Sequence, residues 1–237
     1  MISGYGRTHA VSVCRLLLAL AIIPAAIMAA ADTIVVKRIV VNAGTAAAPF
    51  PVNSYLVCHP QSRSAVLIDP GADDDRFAAT AAELGVQVRM ILNTHGHLDH
   101  SAGNRSCRER FSATLAVPAA DRPLYKEYGS AAAVDLWLQN GQKLTCGGFT
   151  IQVLATPGHT PGSVCFLIGG QLFSGDTLFA GSVGSVPQGR DEKKALRRLV
   201  RVIRRRLLTL PVDTPVWPGH ERPSSIGEEI LLNPFLR

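Results

Sequence analysis

The 237-residue sequence contains no C-x-x-C pair and no cysteines at zinc-finger spacing, so the common thiol-based metal and redox motifs are excluded. Charged residues are scarce at 18%, against 47% hydrophobic ones, which excludes an intrinsically disordered chain. The 21 glycines and 15 prolines follow no period, so collagen-like and low-complexity architectures are excluded too. No internal repeat occurs at the spacing of solenoids or propellers. No apolar run reaches the roughly 20 residues that a membrane-spanning helix needs. The longest, residues 16–31, has 16 and is interrupted by Pro24.

That run follows Arg7 and Arg15, no acid precedes Asp32, and the run closes on Ala29-Ala30-Ala31. This is the layout of a secretory signal peptide, expected over residues 1–31. There is no twin arginine, and Cys14 lies before the run, which argues against a lipoprotein site. Export to a bacterial periplasm is the expectation, with a cytoplasmic location if the true start lies further downstream. Residues 32–237 then form a single domain, long enough to bury a core. It holds Cys58, Cys107, Cys146 and Cys165, for which oxidation would permit three pairings. At least one reduced, buried pair is expected, because free cysteine is commonly a core residue.

Apolar and β-branched runs predict strands over residues 33–41, 54–57, 65–68, 88–92, 115–117, 149–154, 163–168, 171–174 and 212–217. Helices are predicted over residues 73–84 (ending at Gly85), 101–111, 191–208 and 226–232. Residues 118–140 read as a helical or loop insertion around Trp137. Both halves run from strands to helix to strand to helix. This order predicts an α/β fold in which two sheets pack face to face with helices outside.

Five of the seven histidines fall just after predicted strands: His95, His97, His100, His159 and His220. His9 lies in the leader and His59 in a polar turn. The stretch Thr94-His95-Gly96-His97-Leu98-Asp99-His100 packs three imidazoles and a carboxylate into six positions. Alternate residues of an extended segment project the same way, so His95 and His97 can share one ion. The chain then turns toward helix, and Asp99 and His100 can face a second. Imidazole and carboxylate together suit Zn²⁺, with other first-row metals open. His159 sits in the rigid turn Pro157-Gly158-His159-Thr160-Pro161-Gly162, Asp176 in Gly175-Asp176-Thr177, and His220 in Pro218-Gly219-His220. Each is a donor at a strand end.

The set T-H-x-H-x-D-H, P-G-H-T-P-G-S, G-D-T-L-F and P-G-H resembles the metallo-β-lactamase fold superfamily. Within it, the sequence is most similar to the compact glyoxalase II-like (hydroxyacylglutathione hydrolase-like) group. The resemblance covers roughly residues 33–237 and includes the terminal Asn233-Pro234-Phe235-Leu236. It implies a four-layer αβ/βα sandwich with the site at one edge of the sheets. It implies two divalent metal ions, zinc foremost, with iron or manganese as alternatives. His95, His97 and His159 match the ligands of the first ion, and Asp99, His100 and His220 those of the second. Asp176 matches the bridging carboxylate, and Asp69 a position that braces the ligand loop, although a turn-forming role reads equally well.

The implied chemistry is hydrolysis of a thioester or related ester. Two ions lower the pKa of a bridging water from about 15.7 toward about 7 and stabilise the oxyanion formed at the carbonyl. Asp99 can orient that water or protonate a departing group. Two departures argue away from S-lactoylglutathione itself: no arginine follows Gly181-Ser182-Val183-Gly184, and the helical C-terminal domain of full-length glyoxalase II is not expected. Residues 118–140 and 182–190 are expected to line the substrate cleft. The alternatives are a persulfide dioxygenase with one iron, a periplasmic β-lactamase or lactonase, and a non-catalytic zinc-binding protein.

Residues 190–206 hold nine of the 24 basic residues against two acids. Leu196, Leu199, Ile203 and Leu207 recur at helical spacing, so one face packs and Arg197, Arg198, Arg201, Arg204 and Arg205 lie mostly on the others. The plain reading is a solvated face. Weak contact with anionic membrane lipid, or capture of an acidic substrate tail, are the functional ones. Nucleic-acid binding is not expected, because no aromatic residues interleave the basic ones.

Overall fold

The computed structural model describes residues 1, 34–45, 47–59, 61–127 and 134–237. The signal-peptide reading, with His9 and Cys14, and residues 128–133 of the predicted insertion lie outside the described residues. Six strands form the first sheet in sequence order: β1 (Val35–Asn42), β2 (Pro51–Cys58), β3 (Ser64–Ile68), β4 (Gln87–Leu92), β5 (Thr114–Pro118) and β6 (Leu136–Leu138). Here β1 to β3 pair antiparallel and β3 to β6 parallel. The parallel steps are bridged by α1 (Arg76–Glu83), by α2 (Leu98–Ser101) with α3 (Asn104–Phe111), and by a segment containing α4 (Arg122–Glu127).

The second sheet uses β7 (Lys143–Cys146), β8 (Phe149–Ala155), β9 (Val164–Ile168), β10 (Gln171–Gly175), β13 (Pro215–Pro218) and β14 (Ser224–Ser225). Its order is β14-β13-β10-β9-β8-β7. A small ribbon, β11 (Leu178–Phe179) with β12 (Ser182–Val183), follows β10. Two helices complete the chain: α5 (Glu192–Arg206) and α6 (Ile226–Leu232).

Strand periodicity divides the side chains between three cores. In β2 and β3, Tyr55, Val57, Val66 and Ile68 point into the space between the sheets. There they meet Ile151, Val153, Phe166 and Phe173 of the second sheet. Their neighbours Leu56, Cys58, Ala65 and Leu67 point outward to Phe77 and Ala81 of α1 and Cys107 of α3. Cys165, Leu172 and Val216 face the opposite way, onto Leu199 and Ile203 of α5 and Ile226 of α6. Sheets covered on both faces need continuous apolar strands, as β3 and β9 have. The layers are therefore helix, sheet, sheet, helix: the αβ/βα sandwich.

Three predicted elements differ. The expected helix over residues 101–111 is two pieces, α2 and α3, separated at Gly103. The Gly103 N–H donates to the Pro70 carbonyl at 2.8 Å, and any side chain there would strike the Ala72 carbonyl. Trp137 lies in a strand, not in a helical or loop insertion, because β6 pairs with β5 at the sheet edge. The last long strand starts at Pro215; residues 211–214 form a turn, with the Thr214 N–H donating to Pro211, and Val212 is exposed. His59 is buried, its Nδ1 accepting from the Gln61 N–H. Cys58, Cys107, Cys146 and Cys165 are all free and buried.

Candidate metal centre

Topology sets the place of the site. β4 ends at Leu92, and β8, β10 and β13 run parallel to one another in the second sheet. The turns after these four strands carry His95 to His100, His159, Asp176 and His220, all at one edge of the sandwich. The carboxyl ends of strands are where open α/β sheets bind ligands. Backbone bonds join the two halves at this edge. The Val164 N–H donates to Thr94 at 2.8 Å, and the Asn53 N–H to Gly219 at 2.7 Å.

All seven predicted residues converge. His97 Nδ1 lies 3.1 Å from His95 Nε2 and 2.9 Å from His159 Nε2. His100 Nε2 lies 3.3 Å from Asp99 Oδ2 and 3.3 Å from Asp176 Oδ1. His220 Nε2 lies 3.5 Å from Asp99 Oδ2 and 3.4 Å from Asp176 Oδ2, which is also 3.6 Å from His159 Nε2. Three groups could each hold a cation: His95, His97 and His159; His95, His100 and Asp176; Asp99, His100 and His220. Asp176 thus stands between the outer two.

The ring orientations fit cation binding. Four of the five imidazoles turn Nδ1 to a protein oxygen: His95 to Thr94 Oγ1 at 3.1 Å, His100 to Asp69 Oδ2 at 3.0 Å, His159 to the Ser185 carbonyl at 2.8 Å, and His220 to the Pro51 carbonyl at 2.8 Å. Nε2 of each is thereby aimed at the centre, the usual arrangement behind metal-ligating histidines. His100 Nε2 and Asp176 Oδ1 are buried without a hydrogen-bond partner, although only 3.3 Å separates them. Buried polar atoms are rarely left so. Their orphaned state, with two anionic and five imidazole donors, matches the needs of divalent cations.

Electrostatics divides the histidines. Burial, reinforced by the charge of its neighbour His100, keeps His95 well below its ordinary pKa; His97 is lowered by burial and by His159. Burial also opposes charge on His100, yet Asp176 and Asp69 outweigh it and hold that group well above its usual value. His220 is pushed up to about 10, burial being overcome by hydrogen bonds to Asp176 and Asp99. Burial would raise Asp99 and Asp176, but the surrounding histidines keep both below the ordinary carboxylate range. His100 is fully buried, whereas the side chains of Asp99 and His220 are 23% and 18% exposed and His97 is half-buried. Phe50 and Phe179 stand 5.1 and 6.0 Å from the His220 ring.

Several supporting residues carry no sequence signal. Asp121, buried after β5, accepts from the Gly96 N–H (2.9 Å), the Gly162 N–H (2.6 Å) and Thr160 Oγ1 (2.7 Å). It ties the His95–His97 turn to the His159 turn. Asp69, open to a bracing and a turn-forming reading, does both. It takes Thr94 N at 2.8 Å and Thr94 Oγ1 at 2.6 Å as well as His100, and its φ of 49° lies in the strained left-handed region. The Tyr125 hydroxyl donates to the His95 carbonyl. Asn53 Nδ2 and the Tyr55 hydroxyl both donate to the Pro218 carbonyl, beside His220. Residues 182–190 do reach the site, through Ser185 on His159.

An αβ/βα sandwich with histidines and aspartates converging at the carboxyl ends of its strands defines a metal-dependent enzyme of hydrolase type. The profile of the metallo-beta-lactamase superfamily matches residues 47–220, and the chain belongs to that family. Hydroxyacylglutathione hydrolase GloC of Haemophilus influenzae is 31% identical over 189 residues, 73% of this chain and 88% of that one. The mitochondrial persulfide dioxygenase ETHE1 of Homo sapiens is 31% identical over 190 residues, 77% of this chain and 70% of that one. The crystal structure of the BLEG-1 B3 metallo-beta-lactamase superposes with a TM-score of 0.73 at 31% identity, covering 85% of this chain and 99% of that one. The similarity to hydroxyacylglutathione hydrolases supports the glyoxalase II-like group.

Proposed function

We propose that the protein is a binuclear, zinc-dependent hydrolase of a small-molecule thioester or related ester, glyoxalase II-like in its reaction. The observation that carries this reading is Asp176, whose two oxygens reach His100 on one side and His159 and His220 on the other. His95, His97 and His159 would hold one ion, Asp99, His100 and His220 the other, and Asp176 would touch both. Bound there, divalent cations supply an acidified water and polarise a carbonyl oxygen. The chain's own groups do the rest. Asp69 and Asp121 fix the donor turns, and Phe50 and Phe179 offer apolar surface at the mouth. Asp99, kept ionised by His100 and His220, can orient the reacting water. A departing thiolate needs little acid help, which favours a thioester over an amide. The layout of residues 1–31 supports export.

Metal analysis of the purified protein, with a panel of thioester, lactone and β-lactam substrates, tests the reading. About two zinc equivalents per chain and thioester cleavage are expected. Turnover of nitrocefin without thioester cleavage would point to a β-lactamase instead. A second reading, persulfide dioxygenase, is favoured by the ETHE1 relatives, at the same identity as the hydrolase. One iron per chain, with oxygen uptake on a persulfide, would establish it and refute the hydrolase.

A further inference from the structure

The arginines of α5 do not simply point into water. Arg197, Arg201, Arg204 and Arg205 rim a groove of about 540 Å³ on the outer helical layer, whose lining includes none of the seven donors. Its floor is apolar: Leu196 and Val200 of α5, only half covered, and Phe235, which is 41% exposed. The end of the chain is held against this helix. Arg204 Nη2 donates to the Arg237 carbonyl at 2.7 Å, and the Arg237 guanidinium donates to the Leu231 carbonyl. That tether brings α6 alongside, with Leu231 and Leu232 exposed at 69% and 60%. No acidic side chain pairs with Arg197, Arg201 or Arg205 among the described residues.

A solvated helix needs no apolar neighbours. Guanidinium groups beside exposed leucines and a phenylalanine are complementary in charge and polarity to acyl chains beneath a layer of phosphate. Outside residues 190–206 and the leader, acids outnumber bases, 16 to 13, so the charge is polarised toward this face. We propose that the groove and the α6 leucines dock the protein on an anionic phospholipid bilayer.

The test is cosedimentation of the full chain with vesicles of phosphatidylcholine alone and of phosphatidylcholine mixed with phosphatidylglycerol. Binding is expected to the anionic vesicles only, and to weaken as salt rises. Joint Arg197→Ala and Arg201→Ala changes should weaken binding about thirtyfold, at roughly fivefold per arginine. Joint Leu231→Ser and Leu232→Ser changes should weaken it roughly tenfold. Metal content and hydrolytic rate should stay unchanged in both, since none of these residues touches the centre. The proposal is overturned by equal binding to both vesicles, or by survival of binding in either double variant. Tighter binding to a DNA duplex than to the anionic vesicles overturns it as well.

Discussion

Behind nearly every inward-facing imidazole stands an oxygen that aims it, and some of those oxygens are themselves held by residues far along the chain. Asp121 is the strongest case. A carboxylate accepts from two backbone N–H groups and a hydroxyl at once; an amide would set its own N–H against one of those donors. An unsatisfied buried donor costs about 1–3 kcal/mol. Asp121→Asn should therefore loosen the His95, His97 and His159 group and spare the group around His100, which Asp69 holds. Dialysis followed by metal analysis should show one equivalent lost and one kept; full retention with an unchanged rate would remove Asp121 from this role. Asp99→Asn should keep the fold and lose activity by at least about 100-fold, as expected when an anionic donor that orients the reacting water is neutralised. Circular dichroism and thioester turnover check the two halves of that statement. The seven donors were legible because histidines and aspartates at strand ends are rare and closely spaced. Asp121, Asn53 and Tyr125 were not, since their partners are main-chain atoms of distant turns that no local spacing encodes.

At the scale of elements, α5 does double duty as cover for the second sheet and as a wall for the His159 turn. A Cβ on Gly158 would meet Leu199 Cδ1 at 2.6 Å, so helix and ligand turn are in close contact. Leu199→Ala should destabilise the fold by about 2–5 kcal/mol, the range for a buried leucine truncated without collapse. Urea titration measures this, and a loss under 1 kcal/mol (about half of one leucine's transfer energy) would mean the helix packs loosely. The long apolar strands and α5 itself followed from periodicity. β6, β7 and the β11–β12 ribbon did not follow with the same ease, because two to four residues are too few to show a period. The break at Gly103 was hidden for another reason. It comes from close approach of the 70–72 backbone, a tertiary contact overriding a continuous helical pattern.

For the whole molecule, the centre links two sheets that also meet through an apolar core, backbone bonds and the side-chain bonds of Asn53, Tyr55 and Asp121. A cation bound at either group would stabilise the native state by about 4 kcal/mol at a thousandfold excess over its Kd. Chelation should accordingly lower the melting temperature by on the order of 10 °C, measured by calorimetry with and without chelator. An unchanged melting point would mean the donors bind no ion that matters to folding. The free thiols offer a second global readout. Burial pushes Cys107 up to about 12 and Cys165 up to about 11. A maleimide at about pH 8 should leave both unlabelled until denaturant is added. Rapid native labelling would contradict the packing around them. Finally, the donors are dealt out along the chain: four follow β4, and the others follow β8, β10 and β13. A growing polypeptide completes the first trio with His159, after β8, but the full seven only once β13 has been made and folded back. Whatever ions surround it at that late moment will fill the centre. Local supply, more than the preference of a half-built pocket, then decides which element the enzyme carries.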